Sequence, residues 1–223
     1  MKKVAFISDF DGTISKEDFF NMAIEQLLTP DALKPWQEYL AHKLTHYQAL
    51  GQIFSKIRIP QAELDKFIAG IEIDPKLTDV LEFCKNHSIP IYICSAGMDY
   101  YIYKRIPKEI KKYNITVLSN KGEYSPETGF KLTPPPADYM FYSDNTGISK
   151  EKLVESLKAQ GFWTIYAGDG IPDIKAAKAA DVVFAKSVLL DLCKKENIET
   201  QKFDGFEDIL RYLQTTACHS RDS

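Results

Sequence analysis

Asp9 and Asp11 stand two residues apart at the end of a short apolar run, Val4-Ala5-Phe6-Ile7, and lead into Gly12 and Thr13. In an extended chain, alternation turns both side chains to one face. Two carboxylates held that close repel each other, and a bound cation resolves the repulsion; oxygen-only ligands favour Mg²⁺ or a similar hard ion. A second acidic pair, Asp169 and Asp173, follows the run Thr164-Ile165-Tyr166-Ala167 around the start of a helix. Both could approach one ion, with Asp173 acting from behind, or Asp173 could cap the helix. Ser95, then Ala96 and Gly97, follow Ile91-Tyr92-Ile93-Cys94 and precede another helix. In that arrangement a hydroxyl and backbone N–H groups face a phosphate. Lys150 opens a helix, where its charge opposes the helix dipole and a phosphate would account for its presence. Lys152 is the alternative.

The elements that carry these groups are legible from pattern. Strands covered on both faces show continuous apolar runs, and runs separated by helical stretches make a parallel sheet. In open sheets of that kind ligands gather at the C-terminal strand edge. The spacing predicts helices over Lys76–His87, Asp99–Ile106, Ile174–Ala180 and Phe206–Gln214, another opening at Lys150, and strands at Ile115–Ser119 and Asp181–Ala185. Residues 125–129 read as a hairpin loop of about five residues, and the tail from Thr215 as loose. Between Thr13 and about Gly70 the pattern is wholly helical, broken near Pro30, Gly51 and Pro60, with Ser15 expected to cap the first helix. This helical insert is expected to form a cap over residues 15–74, leaving residues 1–14 and 75–223 as an α/β core. His42 and His46, four apart but with no carboxylate between them, read as a solvated helix face. Glu17, Lys56, Arg58 and Met98 are candidate substrate contacts; Lys56 and Arg58 could bring positive charge onto an anionic substrate.

Composition narrows the class. With 223 residues, 44% hydrophobic, the chain is long enough for one α/β domain and a small insert. A formal charge of −3 with scattered Lys and Arg gives no nucleic-acid footprint, and the basic run Lys108–Lys112 reads as a solvated helix end. No stretch approaches a membrane span or a secretory leader. Cys84, Cys94, Cys193 and Cys218 lack paired metal-ligand spacing and read as reduced thiols of a cytoplasmic protein, with Cys94 in the core.

Taken together, Asp9-Phe10-Asp11-Gly12-Thr13, Ser95, Lys150 and Asp169 with Asp173 resemble the four ordered motifs of the haloacid dehalogenase superfamily of phosphohydrolases. Ser95–Tyr101 and Gly168–Leu190 are similar to the branch that holds the phosphoserine and methionine-salvage phosphatases. Pro172 departs from it, standing where phosphoserine phosphatases usually have Asn. The resemblance implies a doubly wound parallel sheet with a small helical cap inserted after the first strand. It also implies that Asp9 is the nucleophile forming an aspartyl-phosphate and Asp11 the general acid and base. Mg²⁺ would be held at Asp9, Asp11, Asp169 and Asp173, and the phosphoryl group at Phe10, Ser95, Ala96, Gly97 and Lys150. The expected partner is a small phosphorylated metabolite, with no nucleic acid and no membrane; oligomeric state stays open. Transfer to an acceptor other than water, or binding without turnover, are the alternatives on the same fold.

Overall fold

In the computed structural model, which describes residues 3–219, the N-terminal apolar run forms β1 (Lys3–Ser8). Helices α1 (Phe19–Gln26), α2 (Lys34–Leu40), α3 (His46–Phe54) and α4 (Gln61–Ala69) follow. The chain continues through α5 (Leu77–Asn86), β2 (Ile91–Met98), α6 (Asp99–Arg105), α7 (Pro107–Tyr113), β3 (Thr116–Ser125) and β4 (Gly129–Thr133). A short ribbon, β5 (Tyr142–Ser143) and β6 (Gly147–Ile148), leads into α8 (Lys150–Ala159), β7 (Phe162–Gly168) and α9 (Ile174–Ala179). The last elements are β8 (Val182–Ala185), α10 (Ser187–Lys195), β9 (Gln201–Lys202) and α11 (Phe206–His219).

Seven strands form one sheet in the order β4-β3-β2-β1-β7-β8-β9, parallel except where β4 pairs with β3. The chain builds outward from β1 in one direction through β2 and β3, then in the other through β7, β8 and β9. Such a reversal opens a crevice at the C-terminal ends of the two central strands. β1 and β7 stay in register to the end, Ser8 opposite Ala167. The residues that follow therefore leave the sheet side by side.

The pleat sends alternate side chains to opposite faces. Phe6 packs with Leu81, Phe206 and Ile209 beneath α5 and α11, whereas Ala5, Ile7 and Tyr166 pack with Leu153, Val154 and Ala176 beneath α8 and α9. Each fully buried Val, Leu, Ile or Phe contributes about 1.5–3 kcal/mol. The ends of the helical segment are tied together: Ser15 and Ile73 form an antiparallel bridge, and the Asp74 N–H donates to the Ile14 carbonyl at 2.9 Å. Its apolar residues Phe19, Phe54, Ile57 and Ile68 share one cluster with Phe6 and Leu81.

Several local expectations change. Ser15 does not cap α1, because its hydroxyl is engaged with the Gly12 N–H and the Phe10 carbonyl. Asp18 caps it, accepting from the Phe20 N–H at 2.6 Å. Gly51 lies within α3 instead of breaking it; a β-carbon there would make an ordinary contact with Leu132 at 3.6 Å. β3 runs unbroken to Ser125, which shortens the hairpin loop to residues 126–128. The chain beyond Thr215 continues the helix to His219. Residues 1–2 and 220–223 lie outside the described residues. Among the described residues no helix is long and apolar enough to cross a membrane.

Candidate active site

The crevice between β1 and β7 receives Asp9 directly, since the Asp9 N–H still donates to the Ala167 carbonyl at 2.9 Å. Its Oδ1 accepts from the Phe10 N–H at 2.7 Å and from Lys150 Nζ at 2.8 Å. Lys150, 3% exposed, reaches in from the first turn of α8 and also meets Asp173 Oδ1 at 2.6 Å. Burial works against this ammonium, but Asp173 and Asp9 outweigh it and hold its pKa above the ordinary lysine value. The Asp173 carboxylate is fully engaged: besides Lys150 it accepts from Tyr166 Oη at 2.5 Å and from the N–H groups of Asp169 and Gly170 at 3.0 and 2.8 Å. It therefore shapes the loop that carries Asp169.

Asp11 sits where β2 ends. It accepts from Tyr101 Oη at 2.5 Å, Ser95 Oγ at 3.1 Å and the Phe19 N–H at 3.2 Å. Ser95 Oγ in turn accepts from the Gly97 N–H at 3.0 Å. Ser95, Ala96 and Gly97 lie within β2, which runs on to Met98 instead of ending before them, and Asn120 ties this stretch to the β5–β6 turn, its Nδ2 donating to the carbonyls of Ala96, Gly97 and Thr146 at 2.9–3.0 Å. Gly12 has φ +68°, and a β-carbon there would collide with the Asp169 carboxylate. Only glycine accommodates both the turn and that approach.

Negative charge exceeds positive charge here. Burial raises the Asp9 carboxyl well above the ordinary range; Lys150 pulls it down and Asp173, Asp169 and Asp11 push it up. Burial also raises Asp11, against the hydrogen bonds from Tyr101, Phe19 and Ser95. Asp169 is pushed up to about 7 by burial and then by Asp173. Asp18 reaches about 7 through burial and the nearby charge of Asp11. Carboxylate oxygens of Asp9, Asp169 and Asp173 lie within 4.8 Å of one another. An oxygen-only cluster with surplus negative charge and one lysine suits a hard divalent cation.

One cavity gathers these groups. Asp9, Asp11, Ser95, Ala96, Gly97, Lys150 and Asp169 line it together with Asp18, Phe20, Trp36, His46, Leu50 and Phe54 from the helical segment. Other candidates fall outside it. Phe10 is fully buried and its N–H is taken by Asp9. Met98 is 0% exposed in the core. Glu17 is exposed; Lys56 and Arg58, also exposed, donate to the carbonyls of Asp31 and Ser55. The histidine pair separates: His42 takes a turn conformation with φ 57°, whereas His46 is 7% exposed and borders the cavity. Lys152 is exposed and binds the Tyr142 carbonyl. Sequence reasoning missed Tyr101 and Asn120, noted Asp18 only beside a cap by Ser15, and read His46 as part of a solvated helix face. Only Asp18 carried a local signal, as a capping residue before an apolar helix.

The fold is similar to that of solved phosphoserine phosphatases and of a HAD family hydrolase. The 2-hydroxy-3-keto-5-methylthiopentenyl-1-phosphate phosphatase of Bacillus mycoides is 29% identical over 208 residues, 92% of this chain and 94% of that protein. The phosphatase of the same name from Bacillus anthracis matches equally, at 29% over 92% of the chain. A substrate-bound phosphoserine phosphatase superposes with a TM-score of 0.68 at 20% identity, over 95% of this chain and 99% of that one. A HAD family hydrolase from Salmonella enterica serovar Typhi gives 0.68 at 20% identity, over 94% and 70%. No family model matches the chain.

Proposed function

We propose that this protein is a Mg²⁺-dependent phosphomonoesterase acting through an aspartyl-phosphate on Asp9, with the ketoenol phosphate of its Bacillus relatives as substrate. The observation that carries the reading is the convergence of Asp9, Asp11, Ser95 and Lys150 on one cavity at the C-terminal edge of β1 and β2. Residues 15–74 act as the cap and residues 1–14 with 75–223 as the core. Three cysteines, Cys84, Cys94 and Cys193, are buried and free, which fits a reducing cytoplasm.

Asp9 attacks phosphorus through a carboxylate oxygen, splitting one difficult displacement into two easier steps. Asp11 donates its proton to the leaving alkoxide, then takes one from the attacking water. Its raised pKa suits both duties. Lys150, Ser95 and the loop N–H groups hold the phosphoryl oxygens as charge redistributes. Tyr101, Ser95 and the Phe19 N–H fix the Asp11 carboxylate. Asp9 and Asp169, with the Asp11 backbone carbonyl, would hold Mg²⁺, whose charge offsets the repulsion between anionic nucleophile and anionic substrate.

The test is phosphate release from a panel that includes the ketoenol phosphate and phosphoserine, with Mg²⁺ or EDTA, for the natural protein and Asp9→Asn. Release that requires both Mg²⁺ and Asp9 is expected. Equal inactivity of the natural protein and Asp9→Asn on every ester sinks the proposal.

A further inference from the structure

The cavity lining is of two kinds. Among the described residues its charged groups are Asp9, Asp11, Asp18, Asp169 and Lys150, and Lys150, the one cation, already bridges Asp9 and Asp173. The helical segment adds Phe20, Trp36, Leu50, Phe54 and His46. Phe20 and Trp36 lie against each other with ring centroids 4.6 Å apart. The His46 ring meets the edges of Trp36 and Tyr39 at 5.8 and 5.4 Å, and its Nδ1 is buried without a hydrogen-bond partner. A neutral imidazole has one donor and one acceptor; Nδ1 is sealed from the cavity, so the ring meets a ligand through Nε2, which has no hydrogen-bond partner among the described residues.

The backbone around this ring is not free to relax. The His46 N–H donates to Asn145 Oδ1 at 3.1 Å and the Tyr47 N–H to the Asn145 carbonyl at 3.0 Å, so the start of α3 is pinned to the loop before α8. Burial, then the charge on Lys150, lowers the His46 pKa to about 4. The ring is therefore uncharged at neutral pH and offers hydrogen bonds without a charge to pair with a carboxylate.

Resting on the phosphomonoesterase reading above, we propose that His46 and the Phe20–Trp36–Phe54 wall are the specificity determinants. They select a phosphate monoester whose carbon chain is uncharged and bears a hydroxyl or keto oxygen for the imidazole, and they reject amino-acid phosphates. Asp18 could pair an amino acid's ammonium, but no cation among the described lining residues is free for its carboxylate, which would be left desolvated and unpaired. A chain with hydroxyl, keto and thioether groups meets no such penalty, and sulfur packs well against aromatic rings.

The test compares kcat/KM for the ketoenol phosphate, n-pentyl phosphate and phosphoserine in the natural protein, His46→Phe and His46→Gln. The ratio of ketoenol to n-pentyl phosphate is expected to fall tenfold or more in His46→Phe, mainly through KM, and to recover in His46→Gln, whose amide can stand near the position of Nε2. Phosphoserine should be the poorest of the three. An unchanged ratio in His46→Phe, or phosphoserine turned over as well as the ketoenol phosphate, overturns the selectivity and leaves the phosphatase reading intact. Calorimetry on Asp9→Asn and on Asp9→Asn with His46→Phe separates the opposite case. If the natural protein releases no phosphate, yet Asp9→Asn binds the ketoenol phosphate tenfold more tightly than phosphoserine and loses that preference with His46→Phe, the phosphatase reading falls and the selectivity stands. If Asp9→Asn shows no such preference, the selectivity falls.

Discussion

The Tyr101 hydroxyl donates to Asp11 Oδ2 at 2.5 Å, the shortest of three hydrogen bonds on that carboxylate. The phenol is locked in place by stacking on Phe19, with centroids 4.3 Å apart and planes 7° from parallel. A β-carbon at Gly97 would collide with it, so glycine there makes room for the contact. Burial and the Asp11 charge raise the Tyr101 pKa well above 10.0, so the phenol remains a donor.

Tyr101→Phe removes a hydrogen bond that favours the ionised form of Asp11, so the Asp11 pKa rises further. The pH profile of kcat is expected to move to higher pH and kcat to fall about tenfold, a fraction of what a positioned acid supplies. Steady-state kinetics from pH 5 to 9 check this; an unmoved profile would show that Tyr101 only fills space.

Lys150 bridges two buried carboxylates, Asp9 and Asp173. Lys150→Met should destabilise the fold by about 3–5 kcal/mol, because it strands both charges. The double variant Lys150→Met with Asp173→Asn should lose less than the sum of the single variants, since one stranded charge is gone. Urea denaturation of the set measures the coupling.

Asp18 gives a stability effect with a defined sign. Its pKa is raised from 3.8 to about 7, so ionising it disfavours the fold, fully above pH 7 and progressively less as pH falls toward 4. Asn caps a helix as well as Asp. Asp18→Asn is therefore expected to be more stable than the natural protein at pH 8, by about 1–2 kcal/mol after allowance for partial exposure. The advantage should shrink at pH 5. Denaturation at the two pH values decides it.

Divalent cation should stabilise the folded state irrespective of turnover. At a hundred times its Kd a ligand adds about 2.7 kcal/mol, which raises Tm. Mg²⁺ is expected to raise Tm in the natural protein and to do so far less in Asp169→Asn. Thermal melts with Mg²⁺ and with EDTA provide the measurement.

What the sequence determines is local or ordered along the chain. Continuous apolar runs mark β1, the start of β2, and β7 as buried parallel strands, because burial on both faces leaves no polar alternation. Asp9, Asp11, Ser95, Lys150 and Asp169 are legible since each stands at the end of such a run or the start of a helix, where backbone geometry presents a side chain to the sheet edge. Tertiary structure decides the partners. Tyr101 reaches Asp11 across 90 positions and Asn120 reaches Ala96 across 24, and neither residue differs in type from an ordinary aromatic or strand amide. Gly51 reads as a helix breaker, yet the buried Leu50, Ile53 and Phe54 on either side hold it inside α3. His46 reads as half of an exposed pair until Trp36 and Tyr39 close around it, because burial is a property of the assembled surface and not of helical spacing. Lys56 and Arg58 show the converse: their charge suits an anionic substrate, but the packing of α3 and the turn after it directs them to solvent.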